Sequence, residues 1–330
     1  MRCCNPNGRG AGPGCTWLAL VCLCCTLPVF AAGEVADPDF RAMAAELGQR
    51  LSETPSRELP GWRRPEKVIA RLDNPELLAA MERAAPGVRI VPVQTSDQAA
   101  AEAADAQALI GFCSEEILAQ APQLHWIQVY SSGVDRCVVN PSLHEGDKLL
   151  TNGQRIASPA LAEHAIALMM TLVRGLDVYH RNQMSGTWQR DVGLRRDQFM
   201  ELSGRTVLVV GLGGIGTQSA KRAHALGMRV IATRGSRREG PEYVDYVGLA
   251  DEVMDLARQA DVVINTAPLT DSTRGLFDAA FFAAMKPSAF FISVGRGAST
   301  VTDDLVAALE AGDIAGAGLD VTDPEPLPEG

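Results

Sequence analysis

The sequence predicts an α/β protein made of two doubly wound parallel sheets. Three observations carry that prediction. Short apolar segments of strand length alternate with alanine-rich segments of helix length, in one series from about residue 67 and in a second after about residue 205. A strand-like run enters a glycine-rich turn at residues 211–216, and a long apolar helix candidate beginning at Ser158 separates the two series. Alternation at this spacing needs crossover helices, hence parallel strands covered on both faces.

The elements follow in chain order. Residues 1–31 carry Arg2 and Arg9, an apolar run from Trp17 to Phe30 and then small residues, the pattern of a secretory signal peptide; the other reading is an upstream extension. The run is short for a membrane span, so no stable span beyond this signal-like segment is expected. A true signal predicts an exported or periplasmic protein, with a cytoplasmic one as the alternative. Residues 32–66 read as an N-terminal extension with a short surface helix and a linker. The first domain is placed at 67–157, where KVIA, VRIVPV, ALIGF and HWIQV supply four strands and helices fall near 75–85, 97–104 and 115–120.

From Ser158 the segment SPALAEHAIALMMTLVRGLDVYHRNQ reads as one long helix with Ser158 as N-cap and Pro159 at its first position, and His164 as a packed or hydrogen-bonded helix residue. The second domain, 158–325, continues through TVLVV, a helix at 217–226, MRVIAT, a helix at 251–259, DVVINTAP, a helix near 278–284, AFFISVG, a helix at 303–311 and IAGAGLDV. Residues 326–330 then turn back toward the first domain, which the sequence leaves incomplete.

A formal charge of −10, from 40 acidic against 30 Lys and Arg, gives no electrostatic footprint for nucleic acid. Cys3, Cys4, Cys15, Cys22, Cys24 and Cys25 crowd the leader, which leaves Cys113 and Cys137 in the body and no disulfide framework there. No HExxH pattern or His cluster marks a metal site, so none is expected.

VLVVGLGGIGTQ holds the strongest local signal. Gly211 permits the tight turn, Gly213 lets backbone approach a pyrophosphate and Gly216 lets helix pack on strand, while the N-terminus of the helix that follows Gly214 and Ile215 supplies free amides and a dipole that favour an anion. About twenty residues on, where an acidic residue would bind the ribose hydroxyls of NAD, the sequence has VIATRGSRR. Arg234, Ser236 and Arg237, with Arg238 beside them, suit the extra phosphate of NADP. NADP(H) is therefore the preferred cofactor expected, with NAD(H) as the other; a solvated basic turn is the competing reading.

Taken together, IQVYSSGVD, SPALAEHAIALMMTLVR, GLGGIG, NTAPLTDSTRGLF, SVGRG and GLDVTDPEP occur in an order and spacing that resemble the D-isomer-specific 2-hydroxyacid dehydrogenase family, over about residues 67–330. The resemblance implies a flavodoxin-like substrate domain and a Rossmann nucleotide-binding domain with a cleft between them, a homodimer, and NADPH-preferring reduction of a small 2-keto acid such as glyoxylate, hydroxypyruvate or pyruvate to its 2-hydroxy acid. It assigns Ser132, Gly133 and Val134 to a carboxylate-holding loop, Arg296 to clamping of the substrate carboxylate and keto oxygens, and Glu325 to the support of an acid/base histidine. Asn265, Ala267, Pro268, Thr273, Val294, Gly295 and Asp320 fall to the cofactor, several of them on its nicotinamide side. Hydride delivery to a keto carbon does require a cation for the developing oxygen charge and a proton donor, so these roles are chemically coherent. Formate or phosphite oxidation on the same scaffold remains a competing class.

The donor is where the resemblance stops. The five histidines are His125, His144, His164, His180 and His224, and none matches the family's Pro-His pair after the glutamate. Three accounts stay open: a chain truncated before that histidine, replacement by His125 or His180, or an NAD(P)-binding sensor or scaffold without turnover.

Overall fold

The computed structural model describes residues 62–189 and 199–328 with single positions between 42 and 58, all within the compact unit Arg41–Gly330. The signal-like segment 1–31 and most of the extension 32–66 lie outside the described residues, as do 329 and 330.

The first sheet contains β1 (Lys67–Arg71), β2 (Arg89–Val93), β3 (Ala108–Ile110), β4 (Trp126–Val129) and β5 (Leu149–Asn152). All pair in parallel in the order β2-β1-β3-β4-β5, the flavodoxin order. Helices α1 (Pro75–Ala84), α2 (Ser96–Ala101) and α3 (Glu115–Ala119) link successive strands, and the short α4 (Asp135–Val138) follows β4. Their starts are set locally. The Asn74 side chain accepts from the amides of Glu76 and Leu77, and Thr95 and Gln98 form a reciprocal capping box. Strand β5 is an addition to the four strands expected; its LLTN sequence is half-buried at a sheet edge and lacks an apolar run.

The second sheet contains β6 (Thr206–Val210), β7 (Arg229–Thr233), β8 (Tyr246–Gly248), β9 (Val262–Asn265), β10 (Phe290–Ser293) and β11 (Gly316–Leu319), ordered β11-β10-β9-β6-β7-β8 and parallel throughout. That is the Rossmann order, reversing between β6 and β9. The helices are α5 (Ser158–Val173), α6 (Leu176–Met184), α7 (Gly214–Ala225), α8 (Val253–Ala257), α9 (Ala279–Ala284) and α10 (Thr302–Ala311).

The single long helix expected from Ser158 is two. Gly175 takes φ 60°, and a Cβ there would lie 2.0 Å from the Phe199 ring, so the chain breaks where that ring is seated. The N-cap is Ala157, which moves Ser158 and Pro159 to the first two helical positions.

Alternation along β6 shows how the sheet is held. Val207 and Val209 pack with Ala165, Met169 and Val173 of α5, whereas Leu208 and Val210 face the cluster of Phe277, Phe281, Phe282 and Phe291. Each fully buried side chain of this kind contributes roughly 1.5–3 kcal/mol. Neighbouring rings in the phenylalanine cluster lie 4.8 to 6.0 Å apart, which fixes α9 beneath β10, the strand that leads to Arg296. In the first domain Cys113 and Cys137, left as isolated residues by the sequence, are joined in a disulfide between the end of the β3 turn and α4.

Candidate functional site

Both sheets present the C-terminal ends of their strands to one cleft of about 1500 Å³. Arg71, Gly111, Tyr130 and Gly133 line it from the first sheet, and Leu269, Arg296, Thr322 and Glu325 from the second. Crevices outside such ends, near the point where strand order reverses, are where open α/β sheets bind ligands.

The glycine turn has the geometry its residue types require. Gly211 has φ 93° and a Cβ on it would lie 2.8 Å from the Ala267 Cα; one on Gly216 would lie 2.2 Å from the Gly211 carbonyl oxygen. Gly213 has open space on its Cβ side, and α7 begins immediately after it. Backbone is thus packed tightly behind the turn and exposed in front; the Gly213 amide donates to the Gly211 carbonyl at 2.7 Å, which leaves a cradle that fits a pyrophosphate against the amides of Gly214 and Ile215. The Thr266 hydroxyl donates to the Gly211 carbonyl at 2.6 Å and ties the β9 end to the turn.

At the end of β7, Arg234 is half-buried and its Nε is buried without a hydrogen-bond partner. Burial, then the charges of Arg237 and Arg155, push its guanidinium below the usual arginine range. Among the described residues none of these three arginines has a carboxylate within ion-pair distance. Arg238 differs, being paired with Glu252 at 2.7 Å and with the Tyr246 hydroxyl at 3.0 Å. Ser236 and Arg237 are exposed. An unpaired cationic cluster beside the dinucleotide turn fits an additional phosphate. Arg155, in the turn before α5, is a member of that cluster that sequence reasoning missed; only the fold brings it there.

Arg296 follows β10 and reaches across the cleft. Its Nε donates to Asp135 Oδ2 at 2.9 Å and its Nη1 to the Gly295 carbonyl at 2.9 Å. The remaining Nη2 lies against Gly133, where a Cβ would be only 1.6 Å away. Asp135, also missed in the sequence, opens α4 directly after the Ser132–Val134 loop and orients the guanidinium. That loop is braced by Ser131 Oγ donating to the Gly133 carbonyl at 2.7 Å, Ser132 Oγ to Gly153 at 3.2 Å and Asn152 Nδ2 to Ser132 at 2.7 Å. A guanidinium edge beside a fixed turn can receive a carboxylate and an adjacent carbonyl oxygen.

The remaining residues separate into supporting and cleft-facing groups. Asn265 is fully buried and donates to Ser293 Oγ at 3.0 Å and Ser299 Oγ at 2.9 Å, while accepting from the Ala267 amide at 3.0 Å. It therefore shapes the loop from behind. Ala267, Val294 and Gly295 are buried there too, whereas Pro268 is exposed and its carbonyl accepts from the Thr273 hydroxyl at 2.6 Å. Asp320 is exposed after β11, with Oδ1 3.2 Å from Nε2 of His164, which is itself exposed on α5 and so is not the packed helix residue expected. Glu325 is exposed at the cleft wall with Arg296.

Neither candidate replacement donor reaches this place. His125 precedes β4, at the strand end away from the cleft, and its Nε2 is 2.7 Å from the Arg63 carbonyl. His180 is exposed on α6. No histidine among the described residues lines the cleft.

Residues 166–330 match the family model for the D-isomer specific 2-hydroxyacid dehydrogenase, NAD binding domain. The chain belongs to the D-isomer-specific 2-hydroxyacid dehydrogenase family. It is 34% identical over 232 residues to glyoxylate reductase from Pyrococcus furiosus, covering 67% of this chain and 68% of that protein. To glyoxylate/hydroxypyruvate reductase B from Citrobacter koseri it is 33% identical over 240 residues, covering 71% and 73%. Against a glyoxylate reductase from Thermococcus litoralis the match covers 64% of the relative's length. Among solved structures, a family protein from Aeromonas salmonicida superposes with TM-score 0.70 at 30% identity, covering 80% of this chain and 83% of that one. The NADPH-dependent glyoxylate/hydroxypyruvate reductase from Sinorhizobium meliloti, in complex with NADP and sulfate, gives 0.68 at 26% identity and the same coverage. The family's activity is NAD(P)-dependent oxidoreduction of small 2-keto and 2-hydroxy acids.

These relatives overturn the expectation of an exported or periplasmic protein. What the chain matches is the fold of dehydrogenases solved with NAD or NADP bound. No helix among the described residues is long and apolar enough to cross a membrane, and the segment on which the export reading rested lies outside them.

Proposed function

We propose that this chain binds a nicotinamide dinucleotide, NADPH ahead of NADH, together with a small 2-keto acid such as glyoxylate, hydroxypyruvate or pyruvate, and that the 330 residues hold the pair with little or no turnover. The observation that carries the binding half is the tight glycine turn at 211–216 beside three arginines that have no carboxylate within ion-pair distance among the described residues. The observation behind the slow-turnover half is the cleft without a histidine among the described residues. In this reading residues 158–325 hold the cofactor and 67–157 the acid. Gly213 leaves room for the pyrophosphate, the amides of Gly214 and Ile215 meet it, and Arg234, Ser236 and Arg237 take the 2′-phosphate. Ala267, Pro268, Thr273, Val294, Gly295 and Asp320 border the nicotinamide, which when bound supplies the hydride. Arg296 and the Ser132–Val134 loop take the substrate carboxylate and keto oxygen. A homodimer completes the proposal, checked by sedimentation.

A second reading, true reduction of the same acids, is favoured by Arg296 and Glu325 sharing one cleft wall. The two readings part in one experiment. Affinities for NADPH and NADH are measured by fluorescence titration, and NADPH oxidation is followed with glyoxylate, hydroxypyruvate and pyruvate. Tight NADPH binding with rates at least about 10²-fold below those of active relatives supports the first, since losing acid/base catalysis costs about 10²–10⁴-fold. A relative-like rate overturns it in favour of the second. Equal or tighter NADH binding, or an Arg234→Ala variant with undiminished NADPH affinity, overturns the NADPH preference.

A further inference from the structure

Arg155 is the one non-glycine residue with positive φ among the described residues, at 71°. A side chain in the left-handed region is retained where the surroundings impose it. Here they do so on both flanks. The Gly153 amide donates to the Ser131 carbonyl at 3.1 Å, the Ser158 amide to the Arg155 carbonyl at 3.0 Å, and Gln49 Nε2 to the Gln154 carbonyl at 2.7 Å. This turn joins β5 of the first sheet to α5, and it carries Arg155 onto the first turn of α7. A Cβ on Gly214 would lie 3.0 Å from Arg155 Cγ and 2.5 Å from Ser158 Oγ. One guanidinium nitrogen, Nη1, donates to the neutral Leu47 carbonyl at 3.3 Å, and among the described residues no carboxylate lies within ion-pair distance of the group. The same charge is felt at Arg234. Cations supplied by separate segments of the fold, next to free helix amides and with no carboxylate in ion-pair contact among the described residues, are a site for a phosphate.

We propose that Arg155 is a phosphate ligand of the bound dinucleotide, reaching from the turn after the first sheet to the pyrophosphate at the start of α7, so that the cofactor is gripped from both sheets. The inference rests on the dinucleotide reading above. It adds a residue from the substrate-binding half to the cofactor site, and it separates two phosphate positions, Arg155 at the pyrophosphate and Arg234 at the 2′-phosphate.

The test titrates the full chain and its Arg155→Gln, Arg155→Lys and Arg234→Ala variants with NADPH, NADH and ADP. Arg155→Gln is expected to weaken all three about tenfold, because each carries a diphosphate; Arg155→Lys, which keeps the charge, recovers most of the loss. Arg234→Ala is expected to weaken NADPH alone. Unchanged affinities in a folded Arg155→Gln variant overturn the inference, as does a loss confined to NADPH, which would move Arg155 to the 2′-phosphate. A loss that Arg155→Lys does not relieve assigns Arg155 to shaping the turn and also overturns it. If the parent chain binds neither dinucleotide nor ADP, the dinucleotide reading itself fails, a result distinct from all of these.

Discussion

Replacing Gly133 by alanine tests the substrate clamp with little disturbance of the fold. The added methyl would lie 1.6 Å from Arg296 Nη2 and 2.8 Å from its Cζ, with Asp135 Oδ2 next at 3.1 Å. Gly133 has no left-handed φ, so the methyl acts through contact alone. The nearest atom is the end of a flexible side chain, and regaining an ordinary 3.4 Å contact requires the guanidinium to retreat by about 2 Å. That retreat breaks the alignment set by Asp135 and Gly295, both 2.9 Å from the group. A charge-assisted hydrogen bond is worth about 1.5–3 kcal/mol, so losing one weakens acid binding by roughly 10- to 100-fold. Folding stability should change by no more than about 1 kcal/mol, as for a partly exposed contact. The assay is calorimetric titration of oxalate, which offers paired carboxylate and carbonyl oxygens and accepts no hydride, into the NADP⁺-loaded chain, with urea denaturation run in parallel. Unchanged oxalate affinity in Gly133→Ala would refute the clamp.

The turn behind the cofactor site gives the opposite balance: in Gly216→Ala the Cβ would lie 2.2 Å from the backbone oxygen of Gly211, which cannot swing aside, so urea denaturation should show about 1–3 kcal/mol of lost stability together with lost NADPH binding. Glu252 is held at about 2 by its hydrogen bond to Arg238 and then by those from the Leu249 amide and the Tyr246 hydroxyl. Its folded pKa lies below the ordinary glutamate value of 4.5, so its stabilisation is present above 4.5 and is lost as pH falls through about 2. Melting curves across that window should fall more steeply for the parent than for Glu252→Gln, and parallel slopes would contradict the assignment.

Most of the architecture was legible because strands buried on both faces of a parallel sheet read as apolar runs, as TVLVV and VVIN do. The strands without a sequence signal, β5 and β8, are edge strands of three or four residues, too short to carry a pattern. The break at Gly175 was hidden for a different reason: its cause is the Phe199 ring, which arrives from another segment. The same division runs through the site. The glycine turn is a local motif and was readable, and Arg296 with the Ser132–Val134 loop came through the family resemblance. Asp135 and Arg155 act on partners far away in the chain, Arg296 and the start of α7, and no spacing rule connects them. The unpaired state of Arg234, against the paired Arg238 only four positions on, likewise depends on where Glu252 folds.

The common direction of the strands leaves a second surface with no share in ligand capture. Exposed turns that feed the N-terminal ends, at Glu66 and Gln123 in the first sheet and at Arg205 and Gln259 in the second, lie a full strand length away from the cleft. Those turns are the natural attachment points for a fluorophore pair. Dyes placed there, one on each sheet, would report the relative movement of the two halves as dinucleotide and acid are added, without touching a residue that binds either.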